Sequence, residues 1–255
     1  MAINIKKRLS WVPNLFTLGN LWLGFFSCIF SLIGLGDGPM LEVAGIMIIL
    51  AALLDGLDGF MARLLDAQSE IGAQLDSLAD LTTFGIAPGI LVYSLLLSDW
   101  HFAVSSKIIL PLGMFIAGVY PAAVAFRLAR FNVAHEAGVF EGVPSPVGGV
   151  IVALMPLAFQ DAIILPDWLL LAIYVITAYL MVSTIRYSKI QVALFRKFSV
   201  LRGSLLLAFA IGLILFLGFR FGLQYGAATL FAIFLVYIIS GIISLLIHIV
   251  QEYRI

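Results

Sequence analysis

The chain has 255 residues and is formally neutral, its 14 lysines and arginines balancing 14 aspartates and glutamates. Hydrophobic residues make up 63% of it and charged residues 11%, at a mean hydropathy of +1.14, against an apolar share of roughly 45–50% in soluble domains. That balance excludes an ordinary soluble domain, no nucleic-acid patch is evident, and the single cysteine, Cys28, cannot form an intrachain disulfide and has no metal-ligand companion. The apolar stretch after Lys6-Lys7-Arg8 is as long as a full span and lacks a small-residue cleavage site, so it is expected to be an anchor rather than a removable leader. Hydropathy and helix breakers predict eight spans, at about 14–36, 41–62, 73–97, 107–128, 145–161, 167–186, 204–219 and 226–249, the fifth and seventh being short. The expected fold is all-α, a polytopic transmembrane helical bundle. No internal repeat, low-complexity tract or soluble domain interrupts it. The chain reads as one membrane domain over 1–255, with a core at about 10–190 and additional helices at about 204–250.

Charge sets the orientation. With the N-terminus in the cytoplasm, all the lysines and arginines except Lys107 and Arg220 fall on the cytoplasmic side, a strong positive-inside bias. An even number of spans then returns the C-terminus to the cytoplasm. The two longest polar connections, about 129–144 and 187–203, lie on that side too, and the basic loop from Arg186 to Arg202 is expected to touch anionic lipid. Of the histidines, only His135 falls in a cytoplasmic loop, and it reads as a solvated loop residue. The phenylalanine-rich spans read as lipid-facing or core packing.

Between positions 55 and 80 the chain carries D-x-x-D-G-x-x-A-R, eight residues, then G-x-x-x-D-x-x-x-D, comprising Asp55, Asp58, Gly59, Ala62, Arg63, Gly72, Asp76 and Asp80. A carboxylate within or at the edge of a membrane is costly and by default functional. Spacings of three and four place each aspartate pair on one face of a helix, one turn apart. The pairs fall near the end of the second span and the start of the third, with residues 64–71 between them forming a tight interfacial turn, so the two helices should run antiparallel as neighbours and bring the four carboxylates together. Four negative charges against one arginine leave about −3, which would drive protonation unless cations intervene. Two divalent cations would bring the sum to about +1 and a bound diphosphate to about −1. An all-carboxylate set favours Mg²⁺, Mn²⁺ or Ca²⁺ over zinc. Small residues at Gly59 and Ala62 allow close approach of a ligand ring or of another helix, and Arg63 can pair with phosphate.

This pattern resembles, without a departure, the signature of the CDP-alcohol phosphotransferase family. The resemblance implies a membrane-embedded enzyme that displaces CMP from a CDP-linked lipid with an alcohol. It implies that Asp55, Asp58, Asp76 and Asp80 hold two metals, Mg²⁺ or Mn²⁺, with Ca²⁺ as a bound but inhibitory ion, and that Asp80 is also the base on the acceptor hydroxyl. Gly59 and Ala62 would border the cytidine, and Arg63 would face the diphosphate or stabilise the cluster. Gly72 belongs with this CDP-lipid set, as do Asn14 and Thr17, which could hydrogen-bond the nucleotide, although Asn14 after Pro13 serves equally as a helix cap.

Further segments are similar to the branch of that family whose acceptor is L-serine. They are Val12-Pro13-Asn14-Leu15-Phe16-Thr17-Leu18-Gly19-Asn20, Leu75 to Asp80 followed by Phe84-Gly85-Ile86-Ala87-Pro88, Arg127-Leu128-Ala129-Arg130-Phe131-Asn132, Val143-Pro144-Ser145-Pro146 and Arg186-Tyr187. With them the resemblance covers roughly two-thirds of the chain. The expected substrates are CDP-diacylglycerol and L-serine, in a prokaryotic cytoplasmic membrane with the site facing the cytoplasm, in a homodimer and without nucleic acid. Arg127 and Arg130, three apart on one face, suit serine's carboxylate. They suit the phosphate of glycerol 3-phosphate or an inositol phosphate as well, and would also serve ordinary topology or lipid phosphates. Asn132 is either an acceptor ligand or a turn residue, and Ser145 between two prolines reads as a turn. A cation transporter, the alternative of a different class, would spread its carboxylates through the membrane depth. Here they cluster at one end.

Overall fold

The computed structural model describes residues 11–35, 37–67, 69–105, 108–133, 142–159, 163–183 and 212–252. Outside these residues lie Lys6, Lys7, Arg8, Lys107, His135, Arg254, the basic loop from Arg186 to Arg202 with Tyr187, and the first half of the predicted seventh span. Eight apolar helices are described. They are α1 (Val12–Ile33), α2 (Gly38–Leu65), α3 (Glu70–Leu97), α4 (Gly113–Val133), α5 (Ser145–Ala158), α6 (Asp167–Val182), α7 (Gly212–Phe221) and α8 (Leu223–Glu252). Five of them (α1, α2, α3, α4 and α8) are long and apolar enough to cross a membrane. The other three, α5, α6 and the described part of α7, are shorter than the roughly 20 residues a span needs. Large apolar side chains such as Trp22, Phe25, Ile33, Phe115, Trp168 and Phe219 are exposed on the outer faces, as expected of a surface turned to lipid.

Most predicted boundaries fall within about three residues of the observed ones, and the shifts at the starts of two helices have local causes. Helix α3 begins at Glu70 rather than 73 because Ser69 caps it, its hydroxyl accepting the Gly72 N–H at 3.0 Å. The predicted fourth span, starting at 107, instead begins at Gly113. Ahead of it, β1 (Phe102–Ser105) and β2 (Ile108–Leu110) pair antiparallel, Phe102 opposite Leu110. A short β-prone run closed by Pro111 suits a strand end better than a helix start. This hairpin is the one departure from an all-helical chain among the described residues.

Helix α5 is the centre of the bundle. Every residue from Gly148 to Ala158 is buried, the pattern of a helix hydrophobic all round and enclosed by others. It packs on α2, α3, α6 and α8, and a Cβ on Gly149 would come within 2.8 Å of the Phe84 ring on α3, so glycine there permits the contact. At the other side of the bundle, α1 packs along α2 and also against α3. Helices α2 and α3 are joined by a four-residue turn whose first residue, Asp66, takes a left-handed conformation at φ 53°. Direct contacts between these two helices are few and α1 lies against both, yet the expected meeting of their aspartates holds for Asp55, Asp76 and Asp80. The room left between them is the cavity described next. Helix α3 itself changes to a π-helical path over Leu81–Ile86, directly after Asp80, a local widening frequent at functional sites.

Candidate active site

Each signature aspartate reaches the same end of the bundle by a short local rule. Asp55 and Asp58 sit one turn apart near the end of α2, and Asp76 and Asp80 one turn apart in the first turns of α3. Asp55, Asp76 and Asp80 each offer a carboxylate oxygen within 4.8 Å of the other two. Asp58 is held differently. Its Oδ2 accepts the Thr17 hydroxyl of α1 at 2.8 Å, and both residues are buried.

Asp58 and Asp76 also line a cavity of about 500 Å³, together with Asn14 and Thr17 of α1, Gly59 and Ala62 of α2, and Ser69, Gly72 and Ala73 at the start of α3. That volume lies within the roughly 300–1,000 Å³ of small-molecule sites. Gly72 has a steric reason to be glycine, since a Cβ there would lie 3.2 Å from Asn14 Oδ1 and 3.0 Å from Ser69 Oγ. Arg63 is exposed at the rim rather than in the lining, with Nη1 3.6 Å from where a Cβ on Gly59 would stand.

The two arginines of α4 have different partners. Arg130 donates Nη1 to the Val182 carbonyl at 2.9 Å and Nη2 to the Ser183 carbonyl at 3.2 Å, closing the C-terminal end of α6. Arg127 turns toward the aspartates, where Nη1 donates to Ser145 Oγ at 3.0 Å and Nε is buried without a hydrogen-bond partner. Asn132 joins α4 to α3, its Nδ2 donating to Ser77 Oγ at 3.1 Å, one residue from Asp76.

Three residues of this region were not anticipated from sequence. Ser145 is buried and bonded to Arg127, with Oγ 3.4 Å from Asp80 Oδ2, rather than sitting in an open turn. Ser69 caps α3 and lines the cavity, a role that its position three residues before Gly72 at a helix start could have signalled. Asn20 is fully buried on α1, accepts the Thr83 hydroxyl on its carbonyl at 3.1 Å, and has neither side-chain amide atom partnered.

The donor set fits a hard divalent cation. Three carboxylates converge, all oxygen, and Asp80 is 8% exposed with Oδ1 partnerless in the protein. A buried acceptor left bare is costly, and an ion between such oxygens removes both that cost and their mutual repulsion. The sequence profile of the CDP-alcohol phosphatidyltransferase family matches residues 10–181, which includes the four aspartates, the cavity residues and Arg127, Arg130, Asn132 and Ser145. Among curated relatives, a CDP-diacylglycerol-serine O-phosphatidyltransferase of Mycobacterium tuberculosis is 39% identical over 128 residues, 47% of this chain and 41% of the relative, so the match spans under half of that protein. The Bacillus subtilis protein of that name is 32% identical over 181 residues, 70% of this chain and 90% of the relative. An archaetidylserine synthase of Methanothermobacter thermautotrophicus is 32% identical over 195 residues, 74% of this chain and 75% of the relative. With the signature aspartates gathered at one end of a helical bundle and the profile matched over most of its length, the chain belongs to the CDP-alcohol phosphatidyltransferase family.

Proposed function

We propose that this protein transfers the phosphatidyl group of CDP-diacylglycerol to the hydroxyl of L-serine, giving phosphatidylserine and CMP. The observation that carries the reading is the carboxylate cluster of Asp55, Asp76 and Asp80 beside a cavity that shares Asp58 and Asp76 with the signature. Relatives named for serine transfer supply the acceptor.

Asp55, Asp58, Asp76 and Asp80 would hold two divalent cations, Mg²⁺ or Mn²⁺. When bound, these supply positive charge against the diphosphate and against the attacking and leaving oxygens. The protein's own groups do the rest. Asn14, Thr17, Gly59, Ala62 and Gly72 enclose the nucleotide, and Arg63 at the rim meets the diphosphate. Asp80 accepts the proton of the serine hydroxyl as that oxygen bonds to the lipid-side phosphorus and the bond to the CMP oxygen breaks. Arg127 receives the serine carboxylate, Asn132 stands one turn further along α4, and Arg130 holds the end of α6. Burial of the reacting groups makes this catalysis by positioning and by fixed charge. Eight crossings, with both termini and the site on the cytoplasmic side of a prokaryotic membrane, accord with the positive-inside bias. The lipid substrate enters laterally, and the working form is a homodimer.

Purified protein incubated with CDP-diacylglycerol and a panel of alcohols tests the assignment. CMP release is expected with L-serine, and its loss is expected once a chelator has removed divalent ions. Release with glycerol 3-phosphate or an inositol phosphate but none with serine would overturn the acceptor. Undiminished turnover of metal-free protein in excess EDTA would overturn the role of the cluster.

A further inference from the structure

Ser145 has no role in the reaction outlined above, yet its surroundings are those of a site residue. It is the first helical residue of α5, directly after Pro144 at the N-cap. Its side chain reaches two other helices. It is 1% exposed, accepts Nη1–H of Arg127 at 3.0 Å, and stands 3.4 Å from Oδ2 of Asp80.

The direction of the second contact follows from chemistry. A guanidinium can only donate, so Ser145 accepts from Arg127 and its own proton goes to the carboxylate. The two oxygens of Asp80 are thereby made unequal. Oδ2 is engaged by Ser145, and Oδ1 is buried and partnerless in the protein. The support is rigid. The α5 helix is buried at Ser145 and from Gly148 to Ala158, and the chain leading into it is tied to α6 by the Val143 N–H on the Leu180 carbonyl at 3.3 Å.

We propose that Ser145 is a positioning residue for Asp80. Its hydroxyl, backed by Arg127, holds Oδ2 so that Oδ1 is the oxygen presented to the reacting hydroxyl and to the bound ion. The proposal rests on the reading of Asp80 as base and ligand. It predicts that loss of the hydroxyl leaves the CDP-lipid cavity intact and disorients one carboxylate.

Ser145→Ala and Ser145→Thr in the full chain provide the test, with three readouts: steady-state kinetics, Mn²⁺ affinity from the paramagnetic signal of free ion, and the thermal unfolding midpoint. Removing a partner that orients a metal ligand typically costs about 10- to 100-fold in activity or metal affinity. S145A is therefore expected to lower kcat and to weaken Mn²⁺ binding by roughly that factor, with the KM for CDP-diacylglycerol within about twofold of wild type. S145T, which keeps the hydroxyl, is expected to restore most of both. If S145A is not recovered folded, Ser145→Cys replaces it, keeping the volume and weakening the donor, with the same outcomes expected. Mn²⁺ affinity and kcat within about twofold of wild type in folded S145A would overturn the proposal, and so would equal losses in S145A and S145T, which would assign the effect to packing. Mn²⁺ affinity is read without substrate, so a wild-type protein inert toward serine would strike the proposed function and leave this comparison standing.

Discussion

The two arginines of α4 look interchangeable in sequence and are not so in the fold, and this difference can be measured. Arg127→Ala removes a guanidinium whose Nε is buried and unpartnered beside the aspartate cluster. If the serine carboxylate docks there, its loss costs about 1.5–3 kcal/mol, the range for a hydrogen bond to a charged group, or roughly 10- to 150-fold in affinity. The KM for serine should rise by that factor, and kcat should fall as well because Ser145 loses its donor. The KM for CDP-diacylglycerol should move little. Arg127→Lys should recover only part of the loss, since an ammonium lacks the planar fork. Arg130→Ala removes two bonds to the Val182 and Ser183 carbonyls instead. Two such bonds in a membrane bundle contribute about 1–3 kcal/mol together, a fall of roughly 2–12 °C in Tm for a chain of this size. The assay is a two-substrate CMP-release titration on each variant, paired with thermal unfolding in the same detergent. Equal rises in both KM values for R127A would make Arg127 part of the diphosphate site. A serine-specific KM rise in R130A at unchanged Tm would refute the division of labour altogether.

Asp80→Asn should abolish turnover while leaving CDP-lipid binding partly intact, because the amide keeps the shape and cannot take the proton. A retained rate above about a tenth of wild type, only about 1.4 kcal/mol of barrier, measured as CMP release would remove Asp80 from that role. Asp55→Asn and Asp58→Asn should weaken Mn²⁺ and nucleotide binding together, and unchanged affinities in a direct titration would contradict it. Thr17→Val deletes the hydroxyl that lies 2.8 Å from Asp58 at nearly constant volume. It should raise the KM for CDP-diacylglycerol by roughly 5- to 150-fold, from about 1–3 kcal/mol for a buried bond to a carboxylate. Thr17→Ser should restore it, and a folded T17V with wild-type KM would show that Asp58 needs no such support.

Much of this architecture is local and therefore legible in the chain. Apolar runs of the right length specify helices wherever they stand. Spacings of three and four put Asp55 with Asp58 and Asp76 with Asp80 on single faces whatever the tertiary context. The eight-residue separation between the motifs demands a tight return, and the turn of Asp66–Ser69 is that return. The positions of Asn14, Thr17, Gly59, Ala62 and Gly72 around one cavity follow once α1 lies against both neighbouring helices.

What the chain alone left undecided depends on partners distant in sequence. Nothing local distinguishes Asp58 from the other three aspartates. Only the packing of α1 brings Thr17 to it, while Asp55, Asp76 and Asp80 converge on each other. Nothing local separates Arg127 from Arg130 either, because the difference lies in which carbonyls or hydroxyls the end of α6 and the start of α5 present to them. Ser145 between two prolines has the composition of a turn, and hydropathy assigns a short apolar helix after it no special place. Burial of α5 at the centre of the bundle is what carries that serine to the carboxylate. Helical periodicity thus specified which side chains share a face, and the contacts among α1, α4, α5 and α6 decided what each of those side chains meets.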